Sequence, residues 1–491
     1  MSDIKSRFAP SPTGYLHIGS LRTVLYEFLF AKKEKGQFLL RIEDTDQTRE
    51  VEGADKQLIE ILEKFKIIPD NQDQIMYQSK RLAVYQKFAQ QLVSENKAYY
   101  CFCAPQRLNK MREEQTKAKK PPMYDRQCLK LSTDEINKKL AAKEEHVIRL
   151  QIPKAGKTLV NDLVYGKVEF ENQTIDDQII LKSDGFPTYH LAHIIDDQEM
   201  GITHVIRADE WLPSTPKHIL IHQALGWKPP QYAHLPLLTN PDKSKLSKRQ
   251  GDVAVEDYLQ KGYLVAALVN FVALLGWNPG KGSTDELFNL PELLTDYQFK
   301  QNEVKNLYQA FNLKEVNKSS AVFDISKLEW LNGWYIRHLK PEKYWQLAQP
   351  YLNKIKDQSL AQKIAIVEQE RLKKLSDLSQ NIEFFYQNIK YPADLLIWKK
   401  SNREDTLSNL VKLEDFLTNS IAKKEFLEIK LLENKTIEWI KANDYGVGDI
   451  LWPMRVALSG EKNSPGPFEI AWVLGKAETL KRINQAQEYL K

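Results

Sequence analysis

The sequence predicts an α/β protein: a parallel-sheet domain interrupted by an inserted α/β segment and followed by an all-helical C-terminal part. Three observations carry this. A strand, a helix and a second strand follow one another between Ser6 and Glu43, the alternation of strands and helices resumes near Thr203, and beyond Gly251 the pattern is overwhelmingly helical.

The elements follow from local chemistry. Ser6 to Pro10 reads as a short buried strand that ends at the turn-rich stretch Ser11-Pro12-Thr13-Gly14. Leu21, Val24, Leu25, Phe28 and Leu29 then recur at helical spacing, with Lys32, Lys33 and Lys35 at the C-terminal end and Gly36 as the expected stop. Gln37 to Glu43 is a strand of core character. A strand–helix–strand unit of this kind implies a parallel sheet with a ligand crevice at its C-terminal edge. Residues 99–188 are less regular; they hold all three cysteines, the basic segment Lys117 to Pro122 and short strands at His146–Gln151 and Lys167–Phe170, and read as an insertion. Thr203 to Arg207 is the next strand, with a helix around His218 to Gly226. Farther on, Phe323–Tyr335 and Lys423–Lys441 carry helical apolar stripes, and no internal repeat is evident.

With 491 residues, the chain has room for three or four domains at about 150 residues each. Apolar residues at 42% and charged residues at 27% exclude a disordered, collagenous or simple coiled-coil chain. Three cysteines exclude a disulfide scaffold. The net charge of +5 is a weak pointer to a polyanionic partner, and residues 331–491 hold 25 basic against 21 acidic residues. Arg7, Pro10 and Pro12 break any apolar leader, and the uncharged run Gly262–Gly280 is divided by Asn270, Gly276 and Trp277-Asn278-Pro279. A core helix is the expectation there, in a cytoplasmic protein without a membrane partner.

Two motifs carry chemistry. His17-Ile18-Gly19-Ser20 stands where the first strand hands over to its helix. Gly19 permits close backbone approach, Ser20 can cap the helix, and the helix N-terminus attracts phosphate. Far downstream, Asp242 to Gly251 gathers Lys243, Lys245, Lys248 and Arg249 among small hydroxyl residues, which suits a polyphosphate clamp. Alone, the first motif is as well explained by an ordinary turn and the second by a solvated basic loop; their order and separation make the pair specific. Gly156-Lys157-Thr158 lacks the earlier glycine of a P-loop. His218 and His222 read as helix packing, and Asp196-Asp197 as a brace for the following turn rather than a metal site.

The two motifs resemble the HIGH and KMSKS signatures of class I aminoacyl-tRNA synthetases, and the chain is more narrowly similar to bacterial-type glutamyl-tRNA synthetases. Arg7 to Gly14, Arg41 to Asp46, Asp184 to Ala192, Asp196-Asp197, Val205 to Trp211 and Pro465 to Ile470 all match that family. Ser20 replaces the second His of HIGH; Leu246 and Arg249 replace the Met and final Ser of KMSKS.

The resemblance implies a Rossmann-type catalytic domain in two halves, residues 1–98 and 189–241, with an inserted acceptor-binding domain at 99–188. A KMSKS loop and stem-contact region follow at 242–320, then a helical anticodon-binding region at 321–491. It implies ATP-dependent ligation of L-glutamate to tRNA-Glu: formation of glutamyl-adenylate, then transfer to the 2′-OH of the terminal tRNA adenosine, with magnesium and with activation that awaits bound tRNA. His17, Lys245 and Lys248 would act on the phosphates. Gly19, Ser20, Glu210, Trp211 and Leu212 would join them around ATP. Arg7, Ser11, Glu43, Tyr189, His193 and Arg207 would line the glutamate pocket, Arg7 and Arg207 each gripping a carboxylate in a fork and Glu43 the ammonium. Taken by themselves, Arg41 and Glu43 read equally as a structural salt bridge. Arg371 is the expected anticodon contact, against a surface salt bridge.

Some family members bind zinc through Cys-x-Cys-x24-Cys-x-His. Here Lys130 stands at the His position, but a tyrosine ligand occurs among relatives, so the resemblance implies the set Cys101, Cys103, Tyr124 and Cys128, four protein ligands for a structural Zn2+. Three reduced thiols without a metal remain the alternative. The family default is a monomer. Within the class the runners-up are an enzyme that also charges tRNA-Gln and a glutaminyl-tRNA synthetase, whose usual β-barrel anticodon reader the helical text disfavours. Small-molecule adenylyltransferases have no need of about 170 further helical residues, and intact motifs argue against a catalytically dead RNA binder.

Overall fold

The computed structural model describes residues 3–46, 51–244, 246, 254–280, 282–380, 382–399 and 401–491. It forms two compact units: Met1–Gln260 with Val265–Thr295 and Phe299–Leu328, and Glu329–Lys491 with Lys261–Leu264 and Asp296–Gln298.

In the first unit, β1 (Lys5–Phe8), α1 (Ile18–Lys33) and β2 (Gln37–Ile42) form the expected start of a parallel sheet, β1 and β2 in register from Lys5↔Gln37 to Phe8↔Leu40. α1 is buried beyond the anticipated stripe. Tyr26, Glu27 and Phe30 are also covered, and Tyr26 donates to the carbonyls of Ala273 (2.9 Å) and Leu275 (3.0 Å) beside the buried helix Val265–Ala273. Gly36 does not end α1. The helix closes at Glu34, Lys35 takes the left-handed turn (φ 56°), and Gly36 lies where a Cβ would stand 2.2 Å from the Ile4 carbonyl oxygen. Glycine is needed there for close passage of two chain segments.

After α2 (Ala54–Lys64), β3 (Met76–Tyr77) pairs parallel to β2, and α3 (Leu82–Ser94) leads into the stretch read as an insertion. That stretch holds β4 (Ala98–Cys101), α4 (Pro105–Lys117), α5 (Thr133–Ala141), β5 (Val147–Leu150), β6 (Lys157–Asp162), β7 (Gly166–Glu171) and β8 (Ile179–Leu181). β4, β5 and β8 make a small antiparallel sheet, packed through Ile148, Leu150 and Ile180 on Tyr85, Ala89 and Leu92 of α3. The hairpin β6–β7 goes elsewhere. It extends the parallel sheet at Asp162↔Tyr232, because its alternating buried residues Thr158, Val160 and Asp162 need a second layer.

The parallel sheet continues with α6 (Tyr189–Glu199), β9 (His204–Ala208), α7 (Thr215–Ala224) and β10 (Gln231–Leu235). β9 and β10 pair parallel from His204↔Gln231 to Ala208↔Leu235. Thr203 N–H donates to Lys5 O (3.0 Å), setting the sheets edge to edge in the order β3-β2-β1-β9-β10-β6-β7, antiparallel only at β7. Connections leave β1 and β9 in opposite directions, so the crevice that an open α/β sheet offers to ligands lies beyond the C-terminal ends of these two strands.

Among the described residues, no helix is long and apolar enough to cross a membrane. The second unit is a helical assembly: Pro341–Ala348, Gln358–Glu368, Arg403–Asn419, Ile429–Ala442, Val447–Ser459 and Pro467–Leu490, around Leu410, Leu413, Ile440, Met454, Leu458 and Ile483. Two details differ from expectation. Lys423–Lys441 is a 3-10 turn, Lys423–Leu427, followed at Glu428 by the helix, since Glu425 folds back onto Ala422 N–H and Lys435. Ala321-Val322 pairs parallel with Leu238-Thr239 before the helices begin.

Candidate functional site

A cleft of about 510 Å3 opens at the switch point, lined by Ser11, His17, Gly19, Ser20, Arg207, Glu210, Trp211 and Leu246 among others. The helix cap is His17 and not Ser20. The helix starts at Ile18, His17 keeps an extended backbone, and its Nδ1 accepts the Gly19 N–H at 2.9 Å. The imidazole proton therefore belongs on Nε2. A Cβ on residue 19 would lie 3.1 Å from that Nδ1, so Gly19 makes room for the cap.

The second motif reaches the same cleft. Leu246 N–H donates to Leu238 O (3.1 Å), Ala254 bridges His17, and Val255 N–H donates to Leu16 O (2.9 Å). Both described ends of the lysine-rich stretch are thus tied beside the histidine motif; Lys245 and Lys248 themselves lie outside the described residues. Leu212 packs among Val160, Val205 and Tyr232 and is not part of the cleft lining.

Behind the cleft, buried cations and carboxylates interlock. Arg7 Nε donates to Asp197 (3.0 Å) and Nη1 to Glu27 (3.4 Å); Arg41 binds Asp197 (2.9 Å) and Glu43 (3.1 Å). Asp196 receives Arg81 (2.9 Å), Gln78 (2.7 Å) and Tyr85 (2.9 Å). The Asp196-Asp197 side chains therefore hold arginines rather than bracing a turn, because burial makes their charges affordable only against cations. The Arg41–Glu43 pair exists, and it leaves Glu43 Oε2 without a partner among the described residues. Burial pushes the Glu43 carboxyl up to about 7, against the pull of Arg41 and Arg7. Burial also raises Asp197, but Arg7 and Arg41 reverse this and hold it below the usual carboxylate range. Glu27, deep beside Arg7, is raised well above that range by burial.

Arg7 keeps three N–H groups on its Nη edge, enough for a fork. Arg207 does not. Its Nε donates to His234 (3.1 Å), Nη2 to Thr215 (2.8 Å) and His218 (3.1 Å), and Nη1 to the Tyr189 hydroxyl (3.2 Å), leaving one Nη1 hydrogen. The Tyr189 oxygen accepts that bond, so its own proton is free to donate alongside. Arg207 and Tyr189 together offer the two donors that the guanidinium alone was expected to supply. His193, fully buried, donates from Nδ1 to Tyr189 O (2.7 Å) and stacks on its ring at 4.4 Å, and burial holds its imidazole neutral. His218 contacts Arg207 directly, where helix packing was the expectation. Thr215 and His218 stand only 8 and 11 residues beyond Arg207 and were passed over, His218 as helix packing, whereas His234 is 27 residues from Arg207 and Asp162 a further 72 from His234.

In the antiparallel region the sulfurs of Cys101, Cys103 and Cys128 lie within 4.8 Å of one another. The Tyr124 hydroxyl is 3.4 Å from Cys101 Sγ and 3.2 Å from Cys103 Sγ. A tetrahedral zinc with bonds of about 2.3 Å spaces sulfurs by about 3.8 Å, so the four groups fit. Hydrogen bonding between them lowers the Cys101 thiol and raises that of Cys128. Arg149 lies over the Tyr124 ring (4.1 Å) and Arg107 Nη1 is 3.4 Å from Cys103, cations that would balance an anionic ligand set.

In the helical unit, Arg371 contacts Glu368 (3.3 Å) and the Asn463 carbonyl (3.2 Å). Lys462, next to Asn463, lines a cleft of about 490 Å3 with Lys399 and the tryptophans Trp398 and Trp452, whose rings are 4.9 Å apart.

Residues 3–376 match the family described as tRNA synthetases class I (E and Q), catalytic domain, and residues 343–487 match an anticodon binding domain. A glutamate–tRNA ligase of Clostridium tetani is 42% identical over 99% of this chain and 98% of its own length. The chain belongs to the glutamyl-tRNA synthetase family, class I. Its similarity extends to the glutamate–tRNA ligase of Chlorobium chlorochromatii, 41% identical over 99% of this chain and 98% of that one. Among solved structures, a glutamate tRNA ligase from Elizabethkingia meningosepticum in complex with its amino acid covers 100% of both chains at 31% identity, with a TM-score of 0.85.

Proposed function

We propose that the chain ligates L-glutamate to tRNA-Glu with ATP. The observation that carries this is the meeting of His17 and both described ends of the lysine-rich stretch at one cleft, with Arg207 in its wall. In the first step the glutamate α-carboxylate attacks the α-phosphorus of ATP and expels pyrophosphate. The carboxylate is already charged, so positioning replaces a protein nucleophile. The Nε2–H of His17, the N-terminus of α1, Lys245 and Lys248 stabilise charge on the phosphate oxygens. Gly19 and Ser20 flank the phosphates and Glu210 and Trp211 the adenosine; magnesium would supply further phosphate charge neutralisation. Arg7 and the Arg207–Tyr189 pair take the two substrate carboxylates, Glu43 the ammonium, Ser11 stands at the mouth, and His193 holds Tyr189. In the second step the 2′-OH of the terminal tRNA adenosine takes the glutamyl group.

Arg207 favours glutamate over glutamine. It has no carboxylate partner among the described residues, and an amide would leave that buried charge uncompensated. Cys101, Cys103, Tyr124 and Cys128 would hold a structural zinc. Arg371, which binds the carbonyl of Asn463 next in sequence to the cleft residue Lys462, would contact an unstacked anticodon base.

ATP–pyrophosphate exchange tests the reading. Exchange should require glutamate and tRNA-Glu; exchange driven by glutamine would overturn the substrate, and exchange without RNA would remove only the tRNA requirement. Arg371→Ala should raise KM for tRNA about tenfold with kcat little changed, the loss of one base contact of about 1–3 kcal/mol.

A further inference from the structure

Arg207 is buried, yet all of its polar partners are neutral: Tyr189, Thr215, His218 and His234. A neutral imidazole accepts a hydrogen bond only at its unprotonated nitrogen. For His234 the choice is forced. Its Nδ1 lies 2.6 Å from Asp162 Oδ2, an acceptor, so the proton sits on Nδ1 and Nε2 is left to receive Arg207. Asp162 is itself fixed, accepting the backbone N–H groups of Val164 (2.9 Å), Tyr165 (2.8 Å) and His234 (3.1 Å). On the other side His218 Nδ1 accepts from Arg207, which places its proton on Nε2, facing His190 Nδ1 at 2.9 Å.

This arrangement solves a conflict. A carboxylate placed directly on Arg207 would orient it but would also occupy the charge that a substrate carboxylate must find. Setting the carboxylate one imidazole farther back keeps the orientation and leaves the charge unspent. We infer that Asp162 and His234 are positioning residues of the ligation: Asp162 fixes the His234 tautomer, and His234 holds Arg207 so that its last N–H and the Tyr189 hydroxyl meet a substrate carboxylate. The inference rests on the glutamate-ligating reading above. Burial keeps His234 and His218 below their ordinary values, in line with neutral rings.

Asp162→Asn is the test. Asn can still accept the Val164 and Tyr165 N–H groups through its oxygen, and the His234 N–H at the longer 3.3 Å contact, which turns its NH2 toward His234 Nδ1. The imidazole proton must then move to Nε2, where it opposes the Arg207 Nε–H. In the full-length enzyme with tRNA-Glu, this variant should raise KM for glutamate at least tenfold, in keeping with the roughly 10²-fold cost of a misplaced positioning group. KM for ATP and for tRNA should stay within about twofold. Adding His234→Gln supplies an acceptor oxygen that needs no tautomer, and should recover most of the lost glutamate affinity. Side-chain 15N shifts of histidine should report His234 moving from the Nδ1-protonated to the Nε2-protonated form in Asp162→Asn. An unchanged glutamate KM, a rise shared equally by all three substrates, or an unmoved tautomer would overturn the inference. A wild-type enzyme that does not charge tRNA with glutamate would instead overturn the functional reading itself.

Discussion

Glu43 sets a measurable pH dependence. Only its carboxylate can hold an ammonium, and burial places its titration at about 7. In the free enzyme, kcat/KM for glutamate should therefore climb as pH rises through about 7 and level off above it, and the climb should vanish in Glu43→Gln. A flat wild-type profile between pH 6 and 8 would remove Glu43 from that role. The effect on stability has the opposite sign: a carboxyl raised in the folded state favours folding while protonated, a contribution present below its ordinary value and lost as pH approaches 7. Lys248→Ala should slow adenylate formation by roughly 10²–10³ if the lysine stabilises charge in the transition state; near-normal single-turnover rates would refute it. Roles for residues of this kind were expected from the family resemblance, because each sits in a motif that carries it: His17 beside Gly19, Lys248 in a basic loop, Glu43 in the run Arg41 to Asp46. Those of Asp162 and His234 were not. A histidine in the buried run Tyr232–Leu235 reads as core, and what distinguishes it is a carboxylate 72 residues earlier in the chain.

At the level of elements, helical periodicity anticipated α1 but not the burial of its outer face, which depends on Ala273 and Leu275 arriving from far downstream. Its end depends on the same kind of remote neighbour. Gly36→Ala should destabilise the protein by about 1–3 kcal/mol, the usual cost of overpacking, since the methyl would meet the Ile4 carbonyl; a denaturant midpoint equal to wild type would show that the backbone yields instead. The cysteine-bearing sheet offers a second test. Purified without chelators, the protein should carry about one equivalent of zinc, and stripping it should increase hydrogen exchange in β4 and its neighbours while sparing α1. Less than about 0.1 equivalent would leave three reduced thiols as the account. Tyr124 entered this group through the family resemblance and not through spacing, and its hydroxyl lies 3.2 Å from Cys103 Sγ.

For the whole molecule, the small net charge makes salt a useful probe. If tRNA is gripped through several phosphates, its KM should rise about tenfold or more between about 50 and 200 mM salt while KM for glutamate barely moves; parallel changes would point to a general loss of structure. The division into a sheet-based unit and a helical unit was legible because strand and helix periodicities differ along the chain. The path of β6–β7 was not, since a two-stranded hairpin carries no mark of which sheet it will join. That path has a practical consequence. Exchanging residues 99–188 for those of a relative, to build a chimera with altered RNA handling, would also import whatever side chain replaces Asp162 next to His234. A graft that ignores this would disturb amino-acid selection while every residue of the substrate pocket stayed native; one that retains the hairpin from the host would keep the two properties separable.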